Sequence, residues 1–125
     1  MRKILIAALA TAVPLTPVLA QSMPVSVFLA KADALQKKGA MALFSSDIGK
    51  LKAEIVNSGK QIRAEQAAAQ KAGRKPAVCM PEKGKASINS NELLAHFRSI
   101  PVAQRDMTVK AGFAGLIRKK YPCPA

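Results

Sequence analysis

The chain has no tryptophan, one histidine, one tyrosine and seven acidic residues. Each shortage excludes something. A metal site needs several ligands, and His96 has no second histidine to join it. The seven carboxylates are scattered among lysines and arginines, so no pair stands out as general acid and base. No glycine-rich phosphate loop is present. Four phenylalanines and one tyrosine fit apolar stripes and leave no stacking platform for nucleic acid. These absences together predict a protein that is not an enzyme and uses no cofactor or metal.

Long apolar runs are also missing. The longest opens the chain, where Arg2 and Lys3 precede the ten residues Ile4–Val13. A membrane span needs about 20. Pro14, Pro17 and a small-residue end at Val18-Leu19-Ala20 follow. This order reads as a secretory signal peptide over 1–20, cleaved before Gln21. The expectation is a helical domain over 21–125, periplasmic or secreted, with no membrane span after cleavage. The alternative is an anchored helix.

Cysteine is scarce too, and its scarcity is informative. Cys79 and Cys123 are the only two. An even pair in an exported chain reads as a disulfide, with two free thiols as the alternative. Each lies near a proline, in AVCMP and YPCPA, where helix interior is excluded. Such a bridge would tie the tail to the middle of the chain.

Basic residues are abundant. With Arg2 and Lys3 set aside, 18 bases remain against seven acids, an excess of +11. That excess favours anionic partners. Gly73-Arg74-Lys75 and Arg118-Lys119-Lys120 could meet an anionic surface, but solvated side chains with a helix-dipole role are the simpler account of both runs.

No segment alternates like a strand, and no internal repeat is visible. The apolar spacing is helical throughout. SVFLAKADALQKKGA after Pro24 predicts a helix of about 12 residues, with Ser26 as cap, Phe28, Ala32 and Leu35 on one face, and Gly39 past its end. AMALF is a short helix or a tight connection. Ser45 or Ser46 caps a long helix over 47–72, with Ile48, Leu51, Ile55 and Ile62 on one face. Unbroken, it would be about 39 Å long. Either Asn57-Ser58-Gly59 bends it, or its alanine-rich far end projects as a partner surface or a fraying end. An irregular connector carries Cys79. Asn89 and Glu92, at capping-box spacing, open a helix with Leu93, Leu94 and Phe97 inward, ending before Pro101. Val109, Phe113, Leu116 and Ile117 mark the last. The fold expected is all-α, a small single-domain bundle of about four main helices with one disulfide.

The second half has a further property. Cys79-Met80-Pro81, a helix with Leu93-Leu94 and Phe97, Pro101 with Arg105, and Tyr121-Pro122-Cys123 follow in order. This order resembles the Rap/Tai family of periplasmic immunity proteins of type VI secretion systems. The match covers residues 79–123. The resemblance implies a helical, disulfide-linked and often dimeric protein that binds and blocks a peptidoglycan-cleaving amidase effector. It carries over to Cys79, Pro81, Pro101, Arg105, Pro122 and Cys123, which are scaffold positions. The first half departs from the family, with LFSSDIGKLKAEI standing where a cysteine-bearing helix and a Gly-Tyr element are usual.

Three functions are therefore in play: a binding protein that neutralises a partner, a cationic or chaperone-like envelope protein, and an assembly factor that dimerises through the long helix. The partner surface expected is Phe44, Ser45, Ser46 and Asp47, with the exposed face of the long helix. Phe44 is the one aromatic placed in a connection, and plugging the core between the first two helices is its alternative role.

Overall fold

A computed structural model describes residues 22–125. The expected leader 1–20 and its cleavage before Gln21 lie outside the described residues. Four α-helices run in order: α1 Val25–Lys38, α2 Ser46–Lys71, α3 Ser90–Ser99 and α4 Val109–Lys120. A 3-10 helix at Gly39–Phe44 joins α1 to α2, and another at Val102–Gln104 joins α3 to α4. The all-α expectation holds. Among the described residues no helix is long and apolar enough to cross a membrane.

The predicted stripes meet in one connected core. Val25, Phe97, Val109 and Ile117 are its most deeply buried large side chains. Phe28 meets Phe97 edge to face, with ring centroids 5.2 Å apart, the arrangement that ring quadrupoles favour. Helix α2 packs most extensively on α4. Small residues make that approach close: Ser58 is buried, and Gly59 sits beside Phe113 and Met80. So Asn57-Ser58-Gly59 does not interrupt α2. It is unbroken over 26 residues, and Ser58-Gly59 is its contact point with α4.

The first helix starts differently from the sequence expectation. Ser26 lies inside α1, and Pro24, which has no side-chain cap to offer, takes the N-cap position. The orphan amides are instead satisfied from far along the chain. Val25 N–H donates to the Met107 carbonyl at 2.9 Å and Ser26 N–H to the Arg105 carbonyl at 2.8 Å. Val109 N–H returns a bond to the Met23 carbonyl at 2.7 Å, across an antiparallel bridge between Pro24 and Thr108. A side-chain cap is redundant where backbone carbonyls already fill the role. Gly39 ends α1 with φ of 56°, a conformation that costs glycine little.

Arg105 works in both directions. Its guanidinium donates to the carbonyls of Ile100 (2.9 Å) and Arg98 (2.8 Å), closing the end of α3, while its own carbonyl serves α1. Pro101 occupies the N-cap position of the second 3-10 helix, and its carbonyl accepts from Gln104 at 2.8 Å.

Cys79 and Cys123 form a disulfide with Cα atoms 5.1 Å apart, so the terminal tail is fastened to the connector. Pro122 is exposed beside Cys123. The fastening has further points. Tyr121 Oη accepts from Ser87 N–H at 3.0 Å, and Lys120 binds both the Ser87 carbonyl and Glu92. Side-chain contacts run along α2 as far as Gln66, and beyond it the alanine-rich end is mostly exposed. Arg63 donates to the Pro81 carbonyl at 2.8 Å. The Gln66 amide accepts from Met80 N–H at 3.0 Å and donates to its carbonyl at 3.4 Å. One polar edge of α2 thus holds the cysteine-bearing segment.

Candidate functional site

The surface singled out from sequence lies at the α1–α2 junction. After Gly39 the chain tightens into the 3-10 helix GAMALF, none of which is buried. Phe44 is 85% exposed, Leu43 79% and Met41 67%. Phe44 therefore does not plug the core. Met41, Leu43 and Phe44 are three large apolar side chains within four residues, a shoulder open to solvent, and exposed apolar patches mark interaction sites when contiguous.

The residues beyond it play other parts. Ser45 is the N-cap of α2 and accepts from Asp47 N–H at 3.3 Å. Ser46 is the first helical residue and is exposed. Asp47 sits in the first turn, where the helix dipole favours a carboxylate, and pairs with Lys31 at 3.1 Å and Lys50 at 3.8 Å. The hydrogen bond from Lys31 holds its carboxyl below the usual range, against a smaller opposite push from burial. Of the four predicted contact residues, Phe44 and Ser46 are presented outward, and Ser45 and Asp47 are committed to building the helix start.

Sequence reasoning missed what lies beside this shoulder. An apolar groove of about 700 Å³ runs between α1, α2 and α3, and Ala42 of the 3-10 helix borders it. Phe28 and Phe113 are its most buried lining residues. Leu35, Ile55 and Leu94 contribute half-buried walls. Those three were legible as stripe positions. What was not legible is that α2 and α3 make little direct contact, because both lean on α4. The stripe's outer edge is left uncovered as a result. Lys52 is the single charged side chain in the lining.

The lone histidine and the cysteines lie away from this shoulder and groove. His96 is half-buried on α3 against Gly115. Burial pushes its pKa down, partly opposed by a hydrogen bond to the Gly112 backbone, while Lys119 lowers it further. Among the described residues no group of three or more His, Cys, Asp or Glu is placed to hold a metal. Both cysteines are consumed in the bridge. The chain matches no family model, no curated protein and no solved structure.

Proposed function

We propose that the protein is an exported binding protein that acts by capturing a folded protein partner, without turnover. The observation that supports this reading is the exposed shoulder of Met41, Leu43 and Phe44 on the short 3-10 helix between α1 and α2. Large side chains of this kind serve as hot spots when a partner desolvates them. The likeness of residues 79–123 to the Rap/Tai pattern names the partner class: a peptidoglycan amidase effector, blocked in the periplasm.

The test is Phe44→Ala, read by melting temperature and by capture of a peptidoglycan amidase effector, sought first among the neighbouring genes. The mutant should melt within about 0.5 kcal/mol of the parent, as surface substitutions do, and should lose about 2 kcal/mol or more of affinity. Undiminished capture and amidase inhibition by the mutant would refute this surface. A wild type that neither binds nor inhibits the amidase would refute the reading itself.

The charge excess of +11 supports a second reading, a cationic protein retained on anionic envelope polymer. Its mark is retention on lipopolysaccharide or peptidoglycan that weakens steeply with salt, in the absence of any protein partner.

A further inference from the structure

We infer that the groove between α1, α2 and α3 is a binding site for a single-chain amphiphile with an anionic head, a long-chain carboxylate. This does not rest on the protein-partner reading, since Phe44 lies outside the lining.

Two observations select this occupant. The first is shape and polarity. Small-molecule sites are concave, about 300–1,000 Å³, mostly apolar, with a few polar groups. This groove of about 700 Å³ is lined by aliphatic and phenylalanine side chains, with polar groups confined to Lys52, Gln36 and the start of α3 at Asn89–Asn91. A flexible chain suits a trough whose walls are leucine and isoleucine.

The second is the charge balance of the walls. Every carboxylate on the three walling helices is engaged elsewhere. Asp33 pairs with Arg98, Asp47 with Lys31, Glu65 with Lys110 and Glu92 with Lys120. Glu54 accepts from Ser22 Oγ and Met23 N–H. Lys52 is exposed and makes no ion pair among the described residues. The groove therefore offers one unmatched positive charge and no negative one. A cationic ligand would find no counter-charge, and a neutral one would leave Lys52 idle. A second copy of this chain would bring its own excess of positive charge to the same face.

The experiment is calorimetric titration of the intact protein with laurate, below the concentration at which laurate forms micelles. Octanoate and 1-dodecanol serve as comparisons. Laurate should bind saturably at one per chain. Affinity should rise by up to about fourfold per methylene from octanoate to laurate. Dodecanol should bind about tenfold more weakly than laurate, a difference of about 1.4 kcal/mol. Lys52→Glu should erase that preference, and Val56→Asp, at an exposed wall position, should weaken laurate further. Lys60→Glu makes the same charge change on α2 away from the lining and should leave affinity intact. Circular dichroism and melting temperature of each variant establish that it is folded.

Several results would overturn the assignment. No saturable laurate binding is one. Equal loss in Lys60→Glu is another, since it would make the effect one of bulk charge. Binding to phosphatidylglycerol vesicles alone would point to a membrane surface. Binding of an acidic amphipathic helical peptide that laurate does not displace would point to a protein in the groove. Sedimentation as a dimer that Val56→Asp dissociates would point to a second copy.

Discussion

Two glycines on helices separate packing from propensity. Gly112 faces the deepest part of the core. A methyl group there would lie 3.0 Å from Val25 Cγ2 and 3.1 Å from Phe97 Cε1, and both of those residues are fully buried. Gly49, near the start of α2, has nothing within 4 Å of the same position. Alanine gains about 1 kcal/mol over glycine in a helix, whereas overfilling a core costs about 1–3 kcal/mol. Gly49→Ala should therefore raise stability by up to about 1 kcal/mol. Gly112→Ala should give no such gain and should lower stability by up to about 2 kcal/mol, the difference of the two effects. Urea unfolding of both variants checks the pair. Stabilisation by Gly112→Ala would mean that α4 does not approach α1 and α3 as closely as described. At this scale the sequence was only partly readable. Phe97, Val109 and Ile117 declared themselves by helical spacing. Gly112 did not, because the need for a missing side chain is set by neighbours from other helices.

Helix starts show how far local signals reach. Asn89 caps α3 through a 2.8 Å bond from Glu92 N–H, as its spacing indicated, and of the two serines offered for α2 it is Ser45 that caps. Thr108 caps α4 by accepting from Ala111 N–H, inside a segment whose plainest signal is its apolar stripe. The start of α1 could not be read locally at all, since its partners are carbonyls roughly 80 residues away. The second half of α2 hides a contact for a related reason. Its alanines bury little, but Gln66 grips both backbone groups of Met80, and no periodicity announces a side chain that binds an irregular segment. Gln66→Ala should cost about 1–2 kcal/mol, felt locally. The Met80 amide should then exchange its hydrogen roughly 5–30-fold faster, with the core of α4 unaffected. Unchanged exchange at Met80 would show that Gln66 is not what holds this segment.

For the whole molecule, the disulfide is the main constraint that composition alone suggested. It spans 44 residues of sequence, and closing a loop of that size is worth roughly 4 kcal/mol in the chain-entropy account. Against a net stability of about 5–15 kcal/mol that is a large share. Cys123→Ser should lower the melting temperature by well over 10 °C, at about 4–8 °C per kcal/mol for a domain of this size. A shift of only a few degrees would mean that Tyr121 and Lys120 already hold the tail. The all-α class was legible because helical spacing dominates every long segment. The groove was not, because it arises from the distance between α2 and α3, which no single helix encodes.

The seam that closes α1 also sets a clock. Ser26 N–H waits for the carbonyl of Arg105, which is 79 residues further along the chain (105 less 26). At a synthesis rate of about 5–20 residues per second, that is a delay of roughly 4 to 16 seconds. Throughout it the first helix lacks both its terminal hydrogen bonds and the α4 surface it packs on. Short isolated helices are marginal in water, so a nascent chain with α1 already made lacks part of that helix's support until α4 has been synthesised. A chain so wired completes its fold after its last helix is delivered, on whichever side of a membrane that helix emerges.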